Sequence, residues 1–348
     1  MVDLAPFMAC AGGELSEEAI SCCEAVARSL RTTGIVILRD ARVTEAQNNG
    51  FLDMMEDYFD QPSEIKMPDC HPELHYQVGA TPSFVEVPIC KTDAECIERI
   101  ASLNKENRPT PITGPDPKWR FFWRIGERPT EGGFEDLNAA PVVPKAFPQW
   151  EATMNGWGGQ MLSSVTTCAH MAAIGFGLPP NAFTSLMEMG PHLLAPTGSD
   201  LAKHDALDST LAGWHNDLNL LTIHGKSRYP GLNAWLRDGT KISVKVPDGC
   251  LLVQAGLQLE HLTAGEVQAG MHEVVVNEHT LRARDAWREK GRPTWRISST
   301  LFAHVASAQT LEPLGSFADL PAAAKYPPTT AGEQVMDILK KIALAPTA

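Results

Sequence analysis

The chain of 348 residues contains no run of about 18 apolar residues, so no segment is expected to span a bilayer. It has no block rich in lysine and arginine, and its 29 basic side chains stand against 42 acidic ones, a formal charge of −13. Phosphate recognition needs clustered cations, so a nucleic-acid partner is excluded from the expectations. No Lys or Arg precedes Arg28 and no signal-like apolar core follows, so a secretion signal is not expected. The eight cysteines (10, 22, 23, 70, 90, 96, 168 and 250) include no C-x-x-C pair and show no regular spacing. Free thiols in a reducing, cytoplasmic setting are the expectation. Internal repeats and low-complexity tracts are missing too. What is present is 43% hydrophobic and 20% charged residues, a composition able to bury a large core, in a length that allows about two domains.

Ser16 ahead of Glu17 and Glu18 predicts a helix start, because a hydroxyl cap and first-turn carboxylates suit the positive end of the helix dipole. Ile20, Cys23, Ala27 and Leu30 then recur at helical spacing, and Gly34 ends the run. Ile35–Leu38 has strand length. A second helix from Thr44 carries Phe51, Met54, Met55, Tyr58 and Phe59 and stops before Pro62, so residues 1–62 read as a helix–strand–helix segment. Residues 63–146 are rich in proline, with one short helical pattern over Thr92–Leu103. A stretch this long is expected to be an embedded lid or a substrate-facing region. A long helix over 147–175 follows, with Met154, Trp157, Met161, Val165, Cys168, Met171 and Ala172 on one stripe. From 191 to 305 short apolar stretches (218–223, 231–236, 242–246, 250–254, 271–276, 294–304) alternate with Gly, Pro and Asp turns. That pattern predicts a β sandwich or barrel. Residues 306–348 form a tail with a helix near 331–344.

The sharpest chemical signal is Trp214-His215-Asn216-Asp217-Leu218. In a strand, residues i and i+2 share a face, so His215 and Asp217 aim at one point. An imidazole and a carboxylate are two of the three ligands of the facial triad that holds non-haem Fe(II); the plainer alternative is a surface turn. His272, in Gly270–Val276 and 55 residues after Asp217, supplies a third ligand from a facing strand, or else is a core histidine bonded to a carbonyl. His261 competes, but it lies in a stretch that reads as a turn or short helix, so strand placement favours His272. Arg296 and Ser298 share a face of a buried strand. A buried guanidinium needs an anion, and the fork beside a hydroxyl would grip a carboxylate; a structural ion pair to Asp or Glu is the alternative.

In this order the residues resemble the isopenicillin-N-synthase-like branch of the 2-oxoglutarate- and Fe(II)-dependent dioxygenases. His215-Asn216-Asp217 with Leu220-Leu221-Thr222-Ile223 is similar to "HTD…LLTLL", and Pro230-Gly231-Leu232-Asn233 to "PGLQ". Val246–Gly249 matches the "V-P-G" turn, Leu262–Gly265 "LTNG", Met271–Val275 "VHRVV", and Arg296-Ile297-Ser298 "RxS". His192–Thr197 stands where the family carries a "N-x-YPP" strand. The resemblance implies one dioxygenase fold over 1–348, of α+β class, with a double-stranded β-helix (jelly-roll) core flanked by helices. It implies Fe(II) held by His215, Asp217 and His272, with 2-oxoglutarate on the metal and its distal carboxylate on Arg296 and Ser298. Dioxygen is the oxidant, ascorbate an accessory reductant. The implied reaction oxidises an unactivated C–H bond and releases succinate and CO2. Oxidative ring closure or desaturation is the alternative on the same scaffold, and a non-catalytic jelly-roll binding protein a second. Within the family the Arg and Ser of RxS also serve a substrate carboxylate, as in isopenicillin N synthase.

The expected substrate is a small, carboxylate-bearing metabolite bound by a monomer or weak homo-oligomer. Its pocket is expected from residues 70–130, 231–237 and the C-terminal helix. Lys118–Arg124 interleaves cations with aromatics, which reads as a carboxylate clamp or as an amphipathic strand with a solvated basic face. The substrate candidates are Tyr76, Arg124, Asn219, Asn233 and Trp235. Asn233 and Trp235 share a face opposite Leu232 and Leu236, and either face can be the inner one.

Overall fold

The computed structural model describes residues 1–345 apart from 11 and 132. The first long helix, α1 (Glu17–Thr33), starts on Ser16, whose Oγ accepts the Ala19 N–H, and ends at Gly34 with φ +70°. Its buried stripe is Cys23, Val26, Ala27 and Leu30, whereas Ile20, expected inside, is exposed. Helix α2 (Glu45–Phe59) opens with a reciprocal capping box between Thr44 and Gln47. Helix α4 (Trp150–Gly175), which follows a short α3 (Ala94–Ser102), buries all seven residues of its expected stripe. Gly175 lies against the Cys23 carbonyl of α1, where no larger residue fits. Three further helices are α5 (Leu257–Leu262), α6 (Glu278–Glu289) and α7 (Ala331–Lys341).

The strands of the two larger sheets are β1 (Val2–Asp3), β2 (Ile35–Arg39), β3 (Gly79–Thr81), β4 (Trp119–Ile125), β5 (His192–Leu194), β6 (Thr197–Asp200) and β7 (Thr210–His215). They continue as β8 (Leu221–His224), β9 (Leu232–Trp235), β10 (Lys241–Ser243), β11 (Cys250–Ala255), β12 (His272–Val275), β13 (Trp295–Ile297) and β14 (Thr300–Ala303). A ten-stranded sheet runs β1-β2-β11-β8-β14-β5-β4-β6-β13, with β3 on β4, and a four-stranded sheet runs β10-β9-β12-β7. All pairings except β1 with β2 are antiparallel. Alternation along β4 sends Trp119, Phe121 and Trp123 into the core beneath α4 and Lys118, Arg120 and Phe122 to the other face.

Residues 63–146 are woven into the sheets: β3 and β4 lie in the larger one, while Ile89, Ile100 and Leu103 pack with Trp214 and Trp235 on the back of the smaller one. Two details differ from the expected organisation. The stretch 294–304 is two strands, broken at Ser298–Ser299 where the chain passes from β6 to β8 as its partner. Cys90 and Cys96, expected free, form a disulfide with Cα atoms 5.0 Å apart, while the other six cysteines are free. The turn of chain entering α3 brings the two thiols together, a local geometry that spacing alone does not reveal. No described helix is long and apolar enough to cross a membrane.

Candidate metal centre

Strands β7 and β12 pair in a register that sets His215 opposite His272. Opposed residues of an antiparallel pair share a face, and the two imidazole centroids lie 4.2 Å apart. Asp217 completes the group. Its Oδ1 lies 3.8 Å from His215 Nε2 and 3.9 Å from His272 Nε2. Among the described residues this is the one cluster of three such side chains, with ligand atoms all within 4.8 Å of one another. The strand argument for His-x-Asp needs correcting, because β7 ends at His215 and Asp217 belongs to the following loop. What aims that loop is α5: the N–H of Leu257 donates to the Asp217 carbonyl (2.9 Å) and that of Gln258 to the Asn219 carbonyl (3.1 Å).

The surrounding hydrogen bonds select the atoms that face inward. His215 Nδ1 donates to the Gly213 carbonyl at 2.6 Å and His272 Nδ1 to the Gly270 carbonyl at 3.3 Å, which leaves both Nε2 lone pairs free. Burial, reinforced by His272, pushes His215 down to about 4, so its ring is neutral near pH 7. Thr222 donates to Asp217 Oδ2 at 2.6 Å, so Oδ1 is the free oxygen. Burial works to raise the Asp217 pKa, but His272, His215 and the Thr222 hydroxyl outweigh it and hold the carboxyl below its usual range. Two imidazoles and one carboxylate converging on one point, each oriented through its other polar atom, are a donor set suited to a divalent transition metal.

A cavity of about 460 Å³ extends from this trio to Arg296, Ser298, Thr197 and His224. Arg296 is buried and makes one hydrogen bond, from Nε to the Pro230 carbonyl (3.3 Å). Burial lowers it to about 10 and no neighbouring carboxylate offsets the effect. The structural ion pair left open as an alternative is therefore absent among the described residues. Ser298 sits at the strand break, its Oγ 2.8 Å from Thr197 Oγ1 and accepting the Thr197 N–H at 3.0 Å. A buried cation without an anion, beside two hydroxyls in a cavity shared with the trio, fits the carboxylate of a small acid.

No protein-family model and no curated protein matches the chain. Solved structures do. A Caulobacter crescentus protein described as of the 2OG-Fe(II) oxygenase family superposes with a TM-score of 0.74 at 20% identity, over 98% of each chain. A full-length Neurospora crassa protein crystallised in complex with alpha-KG and thymine gives 0.71 at 19% identity, over 98% of this chain and 95% of that one. JOX2 in complex with 2OG, Fe and JA gives 0.67 at 16% identity, over 93% and 82%. The fold is that of the 2OG-Fe(II) oxygenases.

On this 2OG-Fe(II) oxygenase fold the remaining candidates are distributed unevenly. A second cavity, of about 110 Å³, borders His215 and Asp217 of the trio, and Asn219 lines it. Asn219 is also tied down there, donating to the Ala303 carbonyl at 3.2 Å. Asn233 and Trp235 face away from both cavities. Because β12 sets His272 opposite Ala234, the even-numbered residues of β9 face the trio and the odd-numbered ones the back of the sheet. Asn233 accordingly bonds Glu273 (3.2 Å), and Trp235 packs with Trp214. Tyr76 packs beside α7 against Leu137 and Leu339, while its neighbour Gln77 lines the second cavity. Arg124 is held by Asn138 Oδ1 (2.7 Å) and the carbonyls of Glu127 and Met189.

The cations of β4 are neither a free clamp nor a solvated face. Lys118 lies between Glu86 and Asp116, and Arg120 pairs with Glu86 and stacks on Phe122. Arg120 and Lys118 hold Glu86 down to about 2 against its burial. Thr197, Thr222, His224 and Glu86 were not singled out by sequence reasoning. Thr222 lies within Leu220–Ile223, and its separation of five from Asp217 is the available signal.

Proposed function

We propose that this protein is an Fe(II)- and 2-oxoglutarate-dependent oxygenase of the isopenicillin-N-synthase-like branch, on a jelly-roll core, that oxidises a C–H bond of a small-molecule metabolite. The observation that carries the reading is the buried, anion-less Arg296 in the cavity shared with His215, Asp217 and His272. Bound Fe(II), with 2-oxoglutarate and dioxygen, supplies the oxidising chemistry and releases succinate and CO2. His215 and His272 would hold the metal through Nε2 and Asp217 through Oδ1. Gly213, Gly270 and Thr222 keep those atoms turned inward. Arg296 and Ser298 would bind the distal carboxylate, bringing the cosubstrate to the metal in one orientation. The apolar wall of the second cavity, from Phe122, Leu218 and Phe302 to Leu339 of α7, keeps water from the reacting bond. The neighbours crystallised with thymine and with JA support a small-molecule substrate.

The test is anaerobic titration of the Fe(II)-loaded protein with 2-oxoglutarate, followed by the weak visible metal-to-ligand absorption band. The band is expected in wild type, and Arg296→Ala is expected to raise the 2-oxoglutarate requirement at least about 30-fold, the scale for truncating one partner of a buried charge pair. Iron binding that survives His215→Ala combined with Asp217→Ala would overturn the metal assignment. An unchanged requirement in Arg296→Ala would overturn the cosubstrate assignment.

A further inference from the structure

Resting on that reading, we propose that His304 is the hydrogen-bonding contact for the substrate, and that the substrate is neutral and largely apolar. His304 follows β14 directly and lines the second cavity across from Gln77 and α7. It is buried, at 4% exposure. Its backbone N–H donates to His192 Nδ1 (3.1 Å), which fixes the chain there without using its own ring. Nδ1 of the ring is sealed off and unpartnered. Among the described residues Nε2 has no protein partner either, and it is not sealed off, so it is the ring nitrogen a cavity ligand can reach. A buried polar atom is ordinarily satisfied, and the open partner position here lies in the space next to Asp217.

The ring is uncharged when it meets that ligand. Burial, with His192 and Arg124 nearby, pushes His304 down to about 3, against the opposing pull of Asp217. A neutral imidazole accepts or donates at Nε2 according to its tautomer, so it suits an amide, lactam or ketone.

A neutral substrate, in place of the carboxylate expected from the sequence, also matches the charges around the cavity. Glu86, Asp116, Lys118 and Arg120 form one ion-paired group that sums to zero. Fe(II), Asp217, a bound 2-oxoglutarate dianion and Arg296 also sum to zero. Among the described residues Arg120 is the one Lys or Arg lining the second cavity, and it is paired with Glu86, so a substrate carboxylate there would lie against Glu86, Asp116 and Asp217 without an unpaired cation to offset its desolvation. Apart from the uncharged amides of Gln77, Asn216 and Asn219, the rest of the wall is aliphatic and aromatic, with Leu193, Leu218, Leu257, Phe302, Ile338 and Leu339 among it.

Three probes of similar ring size test this: 4-methyl-2-pyridone, p-xylene and 4-methylbenzoate, titrated by calorimetry into the full chain without added metal and with excess 2-oxoglutarate present to occupy Arg296. The pyridone is expected to bind at least about tenfold more tightly than the benzoate. His304→Leu should cost the pyridone about tenfold, the scale of one hydrogen bond, and leave p-xylene unchanged. His304→Gln should recover part of the loss, and it also serves if the leucine variant does not fold. Equal binding of benzoate and pyridone, equal loss for pyridone and p-xylene in His304→Leu, or no binding of any probe overturns the proposal. The 2-oxoglutarate band of the Fe(II)-loaded His304→Leu protein is expected to match wild type. A missing band in both proteins is a failure of the oxygenase reading, separate from a failure of the probe titrations.

Discussion

Thr222→Val removes one hydroxyl and almost no volume from a fully buried position. The hydroxyl has one proton and two acceptors in reach, Asp217 Oδ2 at 2.6 Å and Asn219 Oδ1 at 3.1 Å. The shorter contact to the charged oxygen wins. A hydrogen bond to an ionised group contributes about 1.5–3 kcal/mol, and at ~1.4 kcal/mol per tenfold this becomes about 10–100-fold. Without the bond, Asp217 is free to rotate Oδ1 away from the point where His215 and His272 converge. The loss is therefore expected in metal affinity, and about 10–100-fold is the range typical of partners that orient metal ligands. Anaerobic calorimetry with Fe(II), or with Co(II) as an air-stable substitute, reads it directly. Thr222→Ser retains the hydroxyl and should stay within threefold of wild type. If Thr222→Val binds metal within threefold of wild type while folding normally, Thr222 does not orient the ligand and the selection of Oδ1 is wrong.

Two further perturbations follow from the same geometry. Gly256→Ala would drive a methyl group into the Asn219 carbonyl behind the metal loop; overpacking of this kind costs ~1–3 kcal/mol. A lowered melting temperature and weakened metal binding are expected, whereas Gly156→Ala on the exposed side of α4, with nothing in reach, should be neutral or stabilising by up to ~1 kcal/mol. Equal melting temperatures for the two variants would refute the steric reading. The second perturbation is pH. Burial depresses His192 and His224 to about 4 and His304 to about 3. Below about 6.5 the unfolded chain binds protons that the folded one does not, so stability falls as pH drops from about 6.5 toward 4, by up to ~1.4 kcal/mol per pH unit for each ring. Melting curves of metal-free protein should fall through that window, less steeply in His192→Gln, and an unaltered slope would contradict the buried neutral state.

Much of the fold was legible because its causes are local. Ser16, Gly34 and the Thr44–Gln47 box mark helix ends through contacts spanning a few residues, and the stripe on α4 is a period that any reader of the chain can count. His215, Asp217, His272, Arg296 and Ser298 were legible as a set because their chemistry is distinctive and their order matches a known pattern. Period alone misplaced Ile20, since three- and four-residue spacing says which residues share a stripe and not where the stripe ends. It also gave the wrong mechanism for Asp217, whose direction comes from the α5 amides.

By itself the sequence determined the long helices, the β-rich stretch after 191, the donor types at the candidate metal centre and the need of Arg296 for an anion, all of which follow from residue identity and short-range geometry. Only the tertiary structure decided the inner face of β9, the engagement of Lys118 and Arg120 by Glu86 and Asp116, the pairing of Cys90 with Cys96, and the place of His304 on the second cavity. The physical reason is the same in each case. A register shifted by one residue exchanges the two faces of a strand, and an ion pair between loop and strand depends on where distant segments meet, so neither is encoded in the spacing of residues along the chain.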